Sequence, residues 1–221
     1  MLFNLDPSSL ISRIVVLLIA MTVHELAHAW TADRFGDNTP RMFGRLTLNP
    51  LAHLDPLGSL TLLLAGFGWA KPVPVNPYLL RRRAPSALMW VSLAGPLSNF
   101  LMAILMAIPF RAGLLNISTA VYDSYSRGSH LLPSLGQIGL EFIIINLSLM
   151  LFNLIPLPPL DGDKIAEYFA PPAMARALEN IRPYGPMILM GIFILGSLTG
   201  LNIVGYVIGT PMRYLLQLLL G

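Results

Sequence analysis

Between Leu10 and Trp30 the chain is apolar for long enough to cross a bilayer, yet this run contains His24-Glu25-Leu26-Ala27-His28. A spanning helix needs about 20 apolar residues. On insertion scales a charged side chain near its centre costs about 2.5–3.5 kcal/mol, so ionisable residues at such a depth mark function. Residues four apart on a helix lie about 40° apart around its axis, which puts His24 and His28 on one face, able to hold one metal ion. Glu25 lies beside them, where its carboxylate can reach water at the metal.

Composition agrees with a membrane setting. The 221 residues are 55% hydrophobic and 11% charged, with a mean hydropathy of +0.67, whereas a soluble domain carries about 25% charged residues. Cysteine is absent, which excludes disulfides and thiolate ligands. A metal would be held by His, Asp or Glu, a donor set that suits zinc or another borderline divalent ion. The net charge of +3 is small and the basic residues flank apolar runs, so they read as topology signals and exclude a nucleic-acid footprint. Residues 1–12 contain Asp6 and no Lys or Arg, so the expectation is a retained first span, not a cleaved leader.

After Leu10–Trp30 come the polar residues Asp33, Arg34, Asp37 and Asn38, then a turn-rich stretch over 39–56. Leu57–Ala70 is apolar but only 14 residues long and holds Gly58, Gly66 and Gly68, short of the roughly 17–25 a spanning helix needs. Lys71-Pro72-Val73-Pro74-Val75-Asn76-Pro77 reads as an extended edge or loop, because proline supplies no ladder donor. The basic cluster Arg81–Arg83 reads as a topology anchor at acidic headgroups. Ser86–Phe110 is a second span carrying Gly95-Pro96-Leu97-Ser98-Asn99, whose glycine, proline and asparagine read as packing and kink residues. Residues 111–133 read as a polar loop, and Leu135–Ile155 as a third span with Glu141, Asn146 and Asn153. Residues 163–183 predict short amphipathic helices interrupted at Pro171-Pro172, and Tyr184–Leu220 two membrane helices broken near Thr199–Asn202.

Two histidines need a third protein ligand. The candidates are His53, His130, Glu141, Asp161 and Asp163. Asp161 stands out: it follows a span and three prolines that stop the helix, and Gly162 permits a turn beside the metal. For Asp161 to meet His24 and His28, the first and third spans must run in the same direction. Leu57–Ala70 must then be re-entrant or lie at the membrane surface, covered by protein or facing a water-filled cavity. With that topology Arg34, Arg41, Arg45, Lys71, Arg81, Arg82, Arg83, Lys164, Arg176 and Arg182 fall on one side. Arg13, Arg111 and Arg127 fall on the other, so ten against three assign the first side to the cytoplasm.

The chain resembles the site-2 proteases, zinc metalloproteases that cleave substrates inside the membrane. The resemblance rests on His24-Glu25-Leu26-Ala27-His28, on Gly95-Pro96-Leu97-Ser98-Asn99 and on Asn153-Leu154-Ile155-Pro156-Leu157-Pro158-Pro159-Leu160-Asp161-Gly162, and it covers roughly residues 10–165. It implies that His24, His28 and Asp161 bind one Zn2+ per chain, that Glu25 is the general base, and that Asn153 holds or polarises the scissile carbonyl. It also implies that Gly68–Pro77 lines substrate, with Lys71, Pro72, Val73 and Val75 as its contact residues. Many relatives carry a PDZ or CBS module, and the chain looks like a minimal form with room for neither.

The expectation is an all-α polytopic membrane protein. It has three core transmembrane helices, a C-terminal helical pair, and a re-entrant or β-like membrane-surface segment after the first helix. A single domain spans 1–221, with its core at 10–165 and C-terminal helices at 184–220. The expected partners are a transmembrane protein substrate and the lipid bilayer, with no nucleic acid. The expected location is multi-pass in the cell inner membrane, with the active site toward the cytoplasm. His53 reads as a hydrogen-bonding loop residue, with gating of the metal or contact with substrate as the alternative. Two rival functions are a non-proteolytic relative that binds membrane peptides, against which Glu25 speaks, and an ion-conducting protein, for which no repeated half is present.

Overall fold

Helix α1 (Pro7–Arg34) begins where the Asp6 carboxylate accepts from the Ser9 amide at 3.2 Å and Pro7 takes the first helical position. Its polarity is inside out. Ile11, Ile14, Val15 and Ile19 form an exposed apolar stripe, while the buried face carries Ser8, Ser9, Ser12, Thr22, His24, Glu25 and His28. Such a helix suits hydrocarbon outside and polar partners within the protein. The structure, a computed structural model, describes residues 6–56, 58, 61, 69–125, 131–200 and 203–221.

The remaining helices are α2 (Thr39–Met42), α3 (Pro77–Arg83), α4 (Ala87–Arg111), α5 (Ile117–Tyr125), α6 (Leu135–Asn153), α7 (Asp161–Phe169), α8 (Pro172–Ile181), α9 (Gly185–Thr199) and α10 (Ile203–Leu220). Among the described residues, α1, α4, α6 and α10 are long and apolar enough to cross a membrane, and no strand forms beyond the isolated bridge Leu54–Ala70. The chain is an all-α integral membrane protein.

Helices α1 and α6 are parallel. Near their starts Gln137 Nε2 donates to Ser9 Oγ at 3.1 Å, and beyond the end of α6 Asp161 meets His24 and His28 late in α1. Helix α4 runs the other way, packed against both. Its second half joins α6 in a cluster of Ala103, Ala107, Phe110, Leu140, Ile143, Leu147 and Met150, which fills the end of the bundle away from Asp161. A smaller cluster of Ala32, Leu80, Ala87, Leu88 and Val91 packs α3 into the crossing of α1 and α4 at the other end.

The chain leaves α1 and comes back to the same end of the bundle. Asp37, fully buried, accepts from the Thr39 amide at 3.1 Å through one oxygen and from the Asn76 amide at 2.6 Å through the other. Between these points the Lys71 amide donates to the His53 carbonyl at 2.8 Å. One guanidinium nitrogen of Arg45 donates to the carbonyls of Ala52 and Lys71 at 2.6 and 3.2 Å. Residues 71–76 are thus extended and pinned along one edge. Most of the run expected to be re-entrant, Leu57–Ala70, lies outside the described residues, namely 57, 59–60 and 62–68. Its two described flanks are hydrogen-bonded neighbours, as a non-crossing segment requires.

One sequence expectation changed and another was met. The stretch read as a polar loop over 111–133 carries α5, where the Asn116 side chain accepts from the Thr119 amide at 3.2 Å and Ala120 is buried against α6. Its few apolar residues gave too short a period to stand out. The break in the C-terminal pair falls at Gly200, whose φ of +73° suits glycine and ends α9. Of the candidate residues, His130 lies outside the described set.

The chain has no native cysteine, so single-cysteine probes read its topology cleanly. Asn38→Cys and Arg82→Cys should both react with a membrane-impermeant maleimide from one side, and Leu114→Cys only from the other. Labelling of Asn38→Cys and Arg82→Cys from opposite sides would show that the segment between them crosses.

Candidate metal centre

The site forms where three elements meet: the last third of α1, the start of α7, and one face of α4. His24 Nε2 and His28 Nε2 lie 3.0 Å apart, and each lies 3.3 Å from Asp161 Oδ2. This is the one trio among the described residues whose His and carboxylate donors converge in this way. Four-coordinate zinc with bonds of about 2.0–2.1 Å sets neighbouring donors about 3.3–3.4 Å apart, so the triangle fits three corners of such a tetrahedron. Both imidazoles are almost wholly buried, at 7% exposure each.

The lone pairs face inward because the other ring nitrogens are committed. The Val91 carbonyl lies 2.7 Å from His28 Nδ1 and can only accept, so Nδ1 carries the proton and Nε2 is the free donor atom. For His24 the assignment runs through two asparagines. Asn146 Nδ2 donates to the Phe142 carbonyl at 2.8 Å, which turns Asn146 Oδ1 toward Asn99. Asn99 Nδ2 donates to that oxygen at 2.8 Å and to the Ala20 carbonyl at 3.4 Å, leaving Asn99 Oδ1 to accept from His24 Nδ1 at 2.6 Å. Both asparagines are fully buried. A hydrogen bond to the second imidazole nitrogen fixes ring orientation and tautomer in metal sites generally.

Between Val91 and Asn99 on the same helix stands Gly95. A Cβ there would overlap both imidazoles, at 2.6 Å from His24 Cε1, so only glycine admits the two rings. Gly162 has a comparable role on the other side: a Cβ would lie 2.6 Å from the Ile155 carbonyl carbon. The sequence suggested a turn at Gly162, but it is the second residue of α7, and its lack of a side chain lets the helix start press against residues 154–155. Asp161 opens α7. One of its carboxylate oxygens, Oδ2, completes the triangle with the two Nε2 atoms.

A cavity of about 510 Å³ opens from the triad. Glu25 lines it without being one of the three donors. Asn153, the last residue of α6, also lines it, and its Nδ2 donates to the Leu149 carbonyl at 3.0 Å, which leaves its second N–H uncommitted. The extended segment supplies Trp69, Ala70, Pro72, Val73 and Val75 to the wall. Two of the candidate residues are placed elsewhere. Lys71 is not among the lining residues; its backbone is bound to His53 and Arg45. His53 is buried outside the cavity, where its Nε2 donates to the Thr47 carbonyl at 2.9 Å. It holds the loop under the extended segment. Glu141 and Asp163 also stay away from the triad, paired with Arg13 at 3.6 Å and Arg182 at 2.8 Å.

Sequence reasoning missed Asn99 as the support of the candidate ligand His24 and Asn146 as the support of Asn99, and missed Ser92, Lys164, Pro186, Leu189 and Met190 as cavity residues. The embedded polar pair at 99 and 146 was the available signal, since a buried asparagine in a span needs a partner.

Comparison with known proteins adds a family context. The family model described as peptidase family M50 matches residues 12–137. The chain is 40% identical over 198 residues to "Putative zinc metalloprotease YwhC" of Bacillus subtilis strain 168, a match covering 86% of this chain and 85% of that protein. It is 33% identical over 187 residues to "Putative zinc metalloprotease Rip2" of Mycolicibacterium smegmatis, covering 82% of this chain and 66% of the relative. The protein of the same name from Mycobacterium tuberculosis H37Rv is 31% identical over 189 residues, with coverage of 83% and 66%. No solved structure matches.

The hydrogen-bond chain predicts graded effects on metal affinity. Asn99→Ala should weaken zinc binding about 10–100-fold, the usual cost of losing a support behind a ligand. Asn99→Asp, which keeps the acceptor for His24, should lose less. Competition with a chromophoric chelator measures both, and equal losses would exclude tautomer control. Gly95→Ala should abolish tight binding in the same assay.

Proposed function

The chain belongs to peptidase family M50, the site-2 protease family, and from that premise we propose that it is a zinc-dependent endopeptidase that cleaves transmembrane segments of membrane proteins within the bilayer. One observation carries the reading: Glu25 lines the cavity that also exposes His24, His28 and Asp161, and it is not one of the three converging donors. Three protein donors beside an open space are the arrangement of a catalytic metal, whereas structural sites close all four positions. In this reading 1–221 is one domain, with its core at 10–165 and C-terminal helices at 184–220.

When bound, zinc polarises a carbonyl and lowers the pKa of water toward about 7. His24, His28 and Asp161 hold it, with the imidazoles kept in the donor tautomer by Asn99 and Val91. Glu25 takes the proton of the attacking water and delivers it to the leaving amine, so the one carboxylate serves as base and then as acid. The uncommitted N–H of Asn153 donates to the oxygen of the scissile carbonyl as charge develops there, a contact worth about 2.7–4 kcal/mol in other enzymes. A helical peptide bond hides that carbonyl in its own ladder, so the substrate must unwind locally before it reaches Glu25. The extended segment over 69–75 offers the unwound chain an edge to lie along, because its opposite edge is already held by His53 and Arg45. The lining is mostly apolar, which suits substrate side chains drawn from a membrane span. The basic residues flanking this end of the bundle support an orientation toward the cytoplasm, in the cell inner membrane under this reading.

The roles of the two acids separate in one experiment with purified protein and a transmembrane test substrate. Glu25→Gln should keep zinc within about threefold while cleavage falls at least about a hundredfold, because it removes the proton carrier and no ligand. Asp161→Ala should lose zinc itself. Normal cleavage by Glu25→Gln would overturn the mechanism.

A further inference from the structure

Lys164 is the one lysine or arginine among the residues lining the cavity, and the functional reading gives it nothing to do. It sits on α7 three residues after Asp161, a spacing that places both side chains on the same side of the helix. It is half-buried, and its other neighbours in the lining include Leu160, Pro186 and Leu189.

The acids next to it are already taken. Asp163, adjacent in sequence, pairs with Arg182 at 2.8 Å, and Glu167, one turn on, is shared by Arg81 at 2.6 Å and Arg182 at 2.7 Å. Two arginines, arriving from α3 and from the turn before α9, thus neutralise Asp163 and Glu167, and the remaining carboxylate on that side of the helix, Asp161, faces the two imidazoles. Among the described residues no ion pair or hydrogen bond engages the Lys164 ammonium. A cation that no ion pair engages, on a mostly apolar wall, favours an anionic partner brought by the substrate, since the low local dielectric strengthens the pairing.

We propose that Lys164 forms a carboxylate-binding subsite that selects substrates carrying an Asp or Glu side chain two or three residues from the bond to be cut. The proposal rests on the endopeptidase reading and adds a substrate class to it. The spacing follows from the helix. A rise of 1.5 Å per residue puts the Lys164 Cα about 5 Å from that of Asp161. The flexible stem extends the ammonium by up to about 6 Å more. An extended substrate advances about 3.3 Å per residue, so a group at that distance from the metal meets the second or third residue from the scissile bond. An acidic residue there would itself favour a segment that leaves its helix near the membrane surface, because a carboxylate is costly in hydrocarbon. Lys164 then offers it a partner at the place where unwinding is needed.

The test uses the full chain with zinc in lipid nanodiscs and single-span substrates that differ only by one guest residue, Asp, Asn or Lys, at successive positions along the segment. At one or two positions the wild type should favour Asp over Asn by about five- to tenfold in kcat/KM. Lys164→Met should bring that ratio near one at every position, and Lys164→Glu should reverse it in favour of a Lys guest. A reversal cannot be produced by a variant that merely misfolds. The same guests are scored for binding to the Glu25→Gln protein. A flat binding profile, or an Asp preference that survives in Lys164→Met, overturns the subsite. An Asp preference in binding with no cleavage by wild type overturns the endopeptidase reading and leaves the subsite standing.

Discussion

Two neutral imidazoles must aim their lone pairs at one point inside a hydrocarbon-bound bundle, and the rest of the structure depends on how their protons are held. Water cannot reach the Nδ1 atoms, so each needs a protein acceptor. A single stripe of α4 supplies both. Val91, Gly95 and Asn99 recur at intervals of four, on one face, and provide in turn an acceptor, a gap and an acceptor. His24 and His28 recur at four on α1 and dock into that stripe. The match of the two spacings, more than either motif alone, sets the register between the helices.

This docking also engages α6. Asn99 Nδ2 donates to Asn146 on α6 and to the Ala20 carbonyl, which leaves the Asn99 oxygen to His24. The stretch after α6 then carries the chain back to the histidines, and α7 begins at Asp161 itself, with Gly162 closing against residues 154–155. The rotation of α7 is held by charge. Arg182 clamps Asp163 and Glu167, and Arg81 reaches Glu167 from α3, so the element that bears Asp161, the third candidate ligand, is tied to the element that follows the extended segment. Asp163 is almost wholly buried, and an acid at that depth holds its place only with a cation beside it.

The sequence made the donors legible because their chemistry is improbable where they stand. Three ionisable groups in an apolar run, and an aspartate placed after helix-stopping prolines, have few structural explanations, and the parallel arrangement of the first and third spans followed from them. Asn99 was less legible. In Gly95-Pro96-Leu97-Ser98-Asn99 every residue type suits helix packing, and what separates support from packing is a partner 47 residues away. Lys71 and Lys164 show the same limit from the other side. Lys71 belongs to a segment that lines the cavity, but its backbone bonds face His53 and Arg45, and the wall is built by Pro72, Val73 and Val75. Lys164 reads as one more topology charge until the helix is seen to start at Asp161, which fixes where a residue three positions on must point. His53 resembles a ligand in composition and is a loop fastener in space.

The packing also bears on what polar groups in the bundle can do together. A second polar zone, Ser8, Ser9, Gln137, Arg13 and Glu141, lies near the far ends of α1 and α6. Were it continuous with the Asn99–Asn146 pair, a hydrated path would cross the membrane, and ion movement would compete with hydrolysis as the function. Among the described residues no hydrogen bond joins the two zones; Val16 and Ile143, fully buried, stand between them on α1 and α6, and Ala103, Ala107 and Phe110 of α4 belong to the same apolar cluster as Ile143. Apolar side chains between the two polar zones favour hydrolysis at the cavity over ion movement through the bundle, because an ion path needs polar groups along its whole length.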